Sequence, residues 1–207
     1  MRNFKFVNEG YYHIYNRGVD KRKIFLGQGE YIRFLQTIRN LLLNGTAQSG
    51  VMTHQNSAFN KKLSFMCYCL MPNHYHLLIK QVEDNGISNF MHNLNTSYTK
   101  YFNLNHKRTG RLFEYTFKAV EIKTDEQLLH VSRYIHLNPL IANLVTNLEK
   151  YKWSSYLDYI GLRNGTLCNK DFILDFFNDS PVQYKKFVLE QEDYARSFKK
   201  LQKMVLE

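Results

Sequence analysis

The chain has 207 residues, enough for one domain with a well-buried core, and its hydrophobic content of 44% is ordinary for a globular protein. Its 28 Lys and Arg residues outnumber the 18 Asp and Glu residues, and the resulting formal charge of +10 fits a nucleic-acid-binding surface without establishing one. The sequence has no apolar stretch of transmembrane length and begins without an apolar signal core, so we expect a soluble, cytoplasmic, nucleoid-associated protein with no membrane partner.

The first half of the chain predicts a strand, a helix and a hairpin. Residues 11–15 are rich in β-forming side chains and precede a turn signal, which predicts the first strand. Apolar residues at helical spacing predict a helix over 30–43, whereas 44–62 is polar, has no clear period and is interpreted as an inserted loop. Two further strands, 63–70 and 74–80, predict an antiparallel hairpin that turns at the residues between them.

The middle of the chain completes a recognisable order of elements. Helical spacing of apolar residues predicts a helix over 86–105, and an alternating pattern predicts a strand over 117–122. Apart from the helix that follows, the order is that of the split βαβ pattern. We therefore predict an α+β protein, a ferredoxin-like split βαβ sandwich with an antiparallel sheet and a C-terminal helical extension.

The next helix carries start and stop signals. Thr124 or Asp125 can cap its N-terminus, with Gln127 near the capping-box position. We expect it to end at about Asn138, because Pro139 disfavours helical dihedral angles in the residue before it.

The C-terminal part predicts two more helices, of which Ser180 and Pro181 begin the last. We interpret this part as an appended helical element rather than a second domain. The predicted organisation is therefore a main domain over 1–160 and a helical extension over 161–207.

The three cysteines, Cys67, Cys69 and Cys168, suit packing better than cross-linking. Cys67 and Cys69 lie two apart in a predicted strand, where neighbours at that spacing make poor disulfide partners. No second cysteine pair completes a zinc pattern. We expect all three to be reduced, in a reducing compartment.

His74 and His76 are the most informative pair in the chain. Residues two apart in a strand point to the same side of the sheet, and two imidazoles on one side can chelate one divalent ion. Two ligands are too few for tight binding, so a third group must come from elsewhere. The pair alone is a weak motif, and it fits a hydrogen-bonded histidine cluster equally well.

Tyr134 and Asn138 form a second pair, four residues apart on one face of a predicted helix. A phenol is a poor nucleophile at neutral pH, but a metal makes a bound phosphate easier to attack. Asn138 could supply the third ligand through its side-chain carbonyl oxygen. Taken alone, this pair fits a packing tyrosine and a helix stop as well as it fits a site.

Together the two pairs resemble the single-tyrosine HUH transposases, and within them the REP-associated tyrosine transposases of the insertion-sequence type. The similarity spans residues 11–160. The segments that carry it are YHIYNRG (12–18), YCLMPNHYHLL (68–78), TGRLFEYTFK (109–118), YIHLNP (134–139) with Ala142 and Val145, and YKWSSY (151–156).

The resemblance implies a role for each residue of the two pairs. His74 and His76 would be metal ligands, Asn138 the third ligand and Tyr134 the nucleophile. The implied reaction cleaves single-stranded DNA, forms a 5′-phosphotyrosine link and releases a 3′-hydroxyl, which a second strand can reverse without ATP. The resemblance also implies Mg²⁺ or Mn²⁺ and hairpin-forming repeats as targets.

Basic and aromatic residues interleave where the DNA would lie, as expected of a surface that holds a single strand or the foot of a hairpin. His136, beside the expected nucleophile, is interpreted as a surface residue rather than a proton shuttle. The residues predicted to contact DNA are Arg17, Lys107, Arg108, Arg111, Phe113 and Lys118.

Two alternatives remain open on the sequence alone. The chain could be a hairpin-binding relative that no longer cuts, or a metal-dependent hydrolase that uses activated water, with Tyr134 as a bystander. A homodimer is one assembly that the sequence leaves open.

Overall fold

The computed structural model describes residues 5–44, 59–60 and 62–191. The first two thirds of the chain contain all five strands of the described residues and three long helices, and short helices follow. The strands are β1 (Tyr11–Arg17), β2 (Phe59–Asn60), β3 (Leu63–Met71), β4 (His74–Gln81) and β5 (Lys118–Ile122). The helices are α1 (Gln28–Asn44), α2 (Gly86–Asn105), α3 (Asp125–Ile141), α4 (Tyr156–Tyr159), α5 (Asp171–Asp175) and α6 (Pro181–Leu189).

The strands form one antiparallel sheet in the order β2-β3-β4-β1-β5. The sequence's first strand thus lies between the histidine strand β4 and the last strand β5. This is the order expected of a split βαβ sheet, because each crossover leaves room for one strand between the two it joins. The predicted α+β, ferredoxin-like class is confirmed.

Two apolar cores lie on opposite faces of the sheet. The first core joins the sheet to α1 and α2 and contains Tyr75, Leu77 and Ile79 of β4. The second core joins the sheet to α3 and the C-terminal helices and contains Leu78 of β4. Side chains along β4 therefore alternate between the two cores, and His76, in step with Leu78, points toward the α3 face.

The polar stretch predicted as a loop over 44–62 contains a strand at its end. Phe59–Asn60 form β2, which pairs with β3 at the edge of the sheet, so the loop interpretation is wrong for these residues. Two residues are too few for an alternating pattern to show in the sequence. Residues 45–58 and 61 lie outside the described part of the chain.

The stop predicted at Asn138 is also wrong, because α3 continues through Pro139 to Ile141. The backbone N–H of Ala142 donates to the carbonyl of Asn138 at 2.9 Å, and Leu140 is buried in the second core. This packing and bonding outweigh the local preference against a helical residue before proline. At the other end Thr124 is the N-cap, and its side chain accepts from the N–H of Gln127, as predicted.

The C-terminal helices complete the second core. Tyr156, Tyr159 and Tyr184 are fully or almost fully buried there, and Ser180 caps α6 by accepting from the N–H of Gln183, as predicted. The division of the chain at residue 160 stays a prediction, and residues 192–207 lie outside the described part.

The three cysteines are free thiols and all are buried, as expected. Burial raises the pKa of each thiol above its ordinary value, so they remain protonated packing groups. Among the described residues, no helix is both long and apolar enough to cross a membrane.

Candidate active site

The β4 histidines lie beside β1 at the centre of the sheet. In the antiparallel register His76 is opposite Tyr15 and His74 is opposite Arg17. Side chains opposite one another in such a pair stand on the same face of the sheet. The face they share is the one that α3 covers.

Each β4 histidine has a defined partner for its Nδ1 atom. His74 Nδ1 lies 2.6 Å from Oδ1 of Asn73, the residue before it in the hairpin turn. His76 Nδ1 lies 2.9 Å from Nε2 of His13, which reaches across from β1. The site therefore contains a third histidine that the sequence analysis did not assign.

Burial keeps the inner two imidazoles neutral. It lowers the pKa of His13 to about 4 and that of His76 well below its ordinary value, where the neighbouring His13 and His74 add to the shift. A neutral imidazole retains the lone pair that a metal ion requires.

Tyr134 on α3 stands over these histidines. Its ring meets that of His76 edge-on at a centroid distance of 5.5 Å and that of His13 at 5.8 Å. The side chain is 46% exposed, so the phenol is open to solvent on one side. Burial of the remainder raises the pKa of Tyr134, an effect that a side-chain hydrogen bond with Asn138 partly offsets.

The two β4 histidines and Tyr134, but not His13, line a cleft of about 310 Å³. It brings together three residues that the sequence assigned to the site, His74, His76 and Tyr134, although they come from two separate segments. The remaining lining residues are Tyr15, Asn16, Arg17, Asn73, Glu114, Tyr115 and Lys118.

The third expected ligand, Asn138, lies one turn after Tyr134 and is mostly buried. Its amide nitrogen donates to the backbone carbonyl of Tyr134 at 2.8 Å. It is not among the residues lining the cleft, so its role as a ligand stays a prediction. The described residues contain no group of three or more His, Cys, Asp and Glu side chains placed to hold a metal, and a site here would need a donor of another type.

One nitrogen atom of the site has the surroundings expected of a metal ligand. Nε2 of His76 is buried and has no hydrogen-bond partner among the described residues. A buried polar atom left without a partner costs about 1–3 kcal/mol. A divalent ion held by His74 and His76 would satisfy this atom with a donor type that Mn²⁺ and similar ions accept.

The rim of the cleft carries two cations predicted to contact DNA. Arg17 forms a bidentate ion pair with Glu114, with nitrogen–oxygen distances of 3.0 and 3.1 Å, and this bond lowers the pKa of the Glu114 carboxyl. Lys118 lies over the ring of Tyr115, 4.5 Å from its centroid. Tyr115 is 54% exposed and offers an aromatic face that unpaired bases could stack on.

Two side-chain amides, of which Asn16 is buried, hold the backbone of this rim. Asn16 on β1 donates to the carbonyls of Tyr115 and Thr116 at 2.8 and 3.0 Å, and Asn95 on α2 donates to that of Thr116 at 2.6 Å. The segment before β5 has no regular structure, so these bonds fix the position of Tyr115 at the mouth of the cleft.

The expected stacking role of Phe113 is wrong for this structure. The ring is only 5% exposed and packs in the first core against Tyr75 and Tyr98. Its faces are therefore covered by protein. The exposed aromatic residue of this segment is Tyr115, two positions further along the chain.

The other predicted DNA contacts lie away from the histidines. Lys107 and Arg111 are exposed in the turn that follows α2, and Arg108 bonds to Oδ1 of Asn103 at 2.6 Å. Arg111 lines a second cleft, of about 300 Å³, between α2 and the 111–116 segment.

The second cleft adjoins each of two others. The first and second share Tyr115, and the second shares Thr96 and Lys100 with a third, of about 410 Å³, between α1 and α2. Arg111, Lys100 and Arg33 line the second and third clefts, with no Asp or Glu among the described residues that line them. Shared lining residues thus link the histidine site to two clefts that carry basic side chains.

His136 is not the surface residue that the sequence suggested. It is completely buried, its Nδ1 lies 2.8 Å from the hydroxyl of Tyr184, and its Nε2 lies 2.8 Å from Oγ of Ser155. Burial lowers its pKa to about 3. His136 therefore ties the Tyr134 helix to α6 and the 154–155 turn instead of facing solvent or the cleft.

The residue that sequence reasoning missed is His13. The signal was available, because the predicted sheet order places the first strand beside the histidine strand. Residues 13 and 15 share one face of that strand, and the antiparallel register brings this face to the histidine pair.

The comparisons with known proteins identify the family of the chain and the fold that it shares. The family described as "Transposase IS200 like" matches residues 6–138. None of the curated proteins shows a significant match. Among solved structures, the chain is similar to a REP-associated tyrosine transposase bound to a REP hairpin, with a TM-score of 0.55 and 13% sequence identity over 82% of this chain and 93% of that one. At this identity the similarity shows a shared fold.

Proposed function

The chain belongs to the family of IS200-like transposases, as its motifs indicated, and from this premise we propose that it cleaves and rejoins single-stranded DNA with Tyr134 as the nucleophile. The observation that carries the proposal is a half-exposed phenol edge-on to the neutral His76, in one open cleft that His74 also lines. A phosphate bound in this cleft can lie against the phenol and both of these histidines.

In the proposed reaction Oη of Tyr134 attacks the phosphorus of a phosphodiester. A bond forms between Oη and phosphorus, the bond to the 3′ oxygen breaks, and the phenolic proton is lost as the leaving oxygen gains one. The products are a 5′-phosphotyrosine and a strand ending in a 3′-hydroxyl. A 3′-hydroxyl of a second strand reverses the step and releases Tyr134, so rejoining needs no ATP.

The tyrosine does not ionise by itself at neutral pH. Its pKa is raised by burial, so the hydroxyl is protonated when the strand arrives. His74 and His76, with Asn138 as the proposed third ligand, would hold Mg²⁺ or Mn²⁺ beside it. The ion would neutralise the charge that develops on the phosphate oxygens, which is the usual contribution of such a metal to phosphoryl transfer.

The first cleft also offers contacts to the strand. Lys118 and Tyr115 place a charge and an exposed ring at the rim, in the combination that single-strand binders use. The pair with Glu114 uses Nε and Nη2 of Arg17, so the N–H groups of Nη1 can donate to a phosphate beside it.

We further propose that the strand leaves the first cleft past Tyr115 and follows Arg111 and Lys100 into the second and third. The continuity of the three clefts and the lack of carboxylates among the described residues lining the last two support this path. Phosphate contacts of this kind position the strand without reading its sequence.

Hairpin-forming repeats are the substrate we favour. Support comes from the solved relative, which was determined bound to a REP hairpin. The single strand at the foot of a hairpin begins at a fixed distance from the duplex. A protein that binds the duplex therefore always places the same phosphodiester in the cleft.

A labelled-oligonucleotide assay tests the function. The probe is a pool of hairpin oligonucleotides with randomised single-stranded flanks, labelled at either end and incubated with Mn²⁺ or Mg²⁺. A 5′-phosphotyrosine retains the 3′ part of the strand, so the 3′ label should move with the denatured protein and the 5′ label with a shortened oligonucleotide. Two unattached fragments would indicate a water-using hydrolase, and binding without cleavage would indicate a hairpin-binding protein; either result contradicts the proposal.

A further inference from the structure

The bond between His13 and His76 joins the two central strands of the sheet at the candidate metal centre. The two rings are nearly parallel, inclined by 25° with centroids 5.1 Å apart, and one hydrogen bond of 2.9 Å connects His76 Nδ1 to His13 Nε2. A neutral imidazole carries a proton on only one of its two nitrogens. In this bond one ring therefore donates its N–H and the other ring accepts it.

A cation at the orphan Nε2 of His76 would decide which ring donates. If His76 carried its proton on Nε2, a buried N–H would have no acceptor among the described residues. If it carries the proton on Nδ1, that proton is donated to His13, and Nε2 presents a lone pair. Only the second arrangement can bind a cation.

His74 also has an acceptor beside its Nδ1 atom, supplied by a different residue. His74 Nδ1 faces the side-chain oxygen of Asn73, which can only accept, at 2.6 Å. Both β4 imidazoles would then be protonated on Nδ1, which leaves the lone pair of each on Nε2. Metal-binding histidines are commonly fixed in this way by an acceptor behind them.

We propose that His13 is a positioning residue that accepts the Nδ1 proton of His76 and so fixes the tautomer and orientation in which His76 binds the metal. The inference depends on the metal centre of the proposed function. His13 itself touches neither the ion nor the DNA. Because the acceptor is a neutral ring, it orients His76 without adding a negative charge to a buried site.

The tautomer can be measured directly on the unaltered, metal-free protein. Long-range ¹H–¹⁵N correlation spectra of ¹⁵N-histidine-labelled protein distinguish protonation at Nδ1 from protonation at Nε2. We expect His76 to be protonated at Nδ1, and protonation at Nε2 would overturn the proposal. This measurement requires no variant and therefore no assumption about folding.

Two substitutions then test the consequence for metal binding. His13→Phe keeps an aromatic ring but removes the acceptor, and should weaken Mn²⁺ binding by about 10- to 100-fold, the usual effect of losing such a partner. His13→Gln restores an acceptor oxygen and should recover most of the affinity. Binding is measured by titration of free Mn²⁺ with electron paramagnetic resonance, without DNA, on variants whose thermal unfolding shows a folded protein.

The matched control is His92→Gln, which removes an exposed histidine of α2 and should leave Mn²⁺ affinity unchanged. Wild-type affinity in His13→Phe would overturn the role of His13 even if the protein cleaves DNA. Failure of the wild-type protein to form a DNA adduct would instead contradict the nuclease function, while the tautomer and Mn²⁺ results would still decide the role of His13.

Discussion

Tyr134 on α3 stands edge-on to His76 on β4, with their ring planes inclined by 83° and their centroids 5.5 Å apart. The two side chains belong to different layers, one to a helix and one to the sheet that the helix covers. Because His74, His76 and Tyr134 line one cleft, a phosphate bound in it can contact the phenol and both histidines. The following predictions depend on this relationship.

Replacing Tyr134 with Phe should abolish the covalent protein–DNA adduct while hairpin binding changes by less than about threefold. The phenylalanine ring keeps the edge-on packing against His13 and His76 and removes only the attacking oxygen. Adduct formation is followed by denaturing electrophoresis of the 3′-labelled probe, and binding by fluorescence anisotropy.

Tyr115→Phe is the matched control, since Tyr115 lines the same cleft and its variant retains an exposed ring. It should form the adduct at a normal level, and mass spectrometry should find the linked nucleotide on the peptide containing residue 134. An adduct of unchanged yield in Tyr134→Phe would show that another group is the nucleophile.

Replacing His74 with Ala should remove metal-dependent cleavage. Loss of a supporting residue behind a ligand typically costs 10- to 100-fold, so loss of a ligand should cost at least about 100-fold in cleavage rate at a fixed Mn²⁺ concentration. Hairpin binding measured in EDTA should be retained, because the phosphate contacts proposed for Lys118, Arg111 and Lys100 do not involve the ion. Full cleavage activity in His74→Ala would exclude the histidine pair as the metal site.

The parts of the fold that the sequence predicted well are those with a strong local period. The apolar spacing of α2 gave its limits, Gly86–Asn105, and the alternation of β4 gave the face on which His74 and His76 lie. The Thr124 cap was equally visible, because capping depends on residues three positions apart. The metal-pair and tyrosine motifs were therefore placed on the correct elements.

The parts that the sequence did not predict depend on contacts between distant segments. His136 is buried because α6 covers the side of α3 away from the cleft, and nothing in the α3 sequence identifies that cover. Phe113 lies in a segment without regular structure, where no period separates a core ring from an exposed one. Pro139 continues a helix because of tertiary packing, which local dihedral preferences cannot include.

Replacing Arg163 with Ala should lower the free energy of unfolding by about 3 kcal/mol, because it leaves the carboxylate of Asp158 buried and unpaired. Asp158 is 2% exposed, and Arg163 donates to its two oxygens at 2.6 and 2.8 Å. The same guanidinium donates to the backbone carbonyls of Lys152 and Ser154. These two bonds hold the turn that is hydrogen-bonded to β3. Urea unfolding followed by circular dichroism measures the change.

Arg163→Lys should recover only part of that loss, since an ammonium cannot reproduce the forked contact to both oxygens. The control is Lys186→Ala, an exposed residue of α6 whose pair with Glu190 is long, at 3.9 Å, and which should change the stability by less than about 0.5 kcal/mol. Equal stability of Arg163→Ala and the wild type would show that the pair does not hold this part of the second core.

Replacing Lys100 and Arg111 together with Ala should weaken binding of the hairpin pool and reduce its salt dependence. Each phosphate contact on a single strand contributes about −0.7 to the slope of log affinity against log salt concentration, so the loss of two should make the slope shallower by about 1.4. The cleavage rate at saturating DNA should stay near normal, since neither residue lines the cleft that contains Tyr134. Lys186→Ala removes an exposed lysine of α6 and should leave the slope unaltered. An unchanged slope in the double variant would mean that the strand does not follow the second and third clefts, whereas a lost cleavage rate at saturation would place these residues in the chemistry instead of the path.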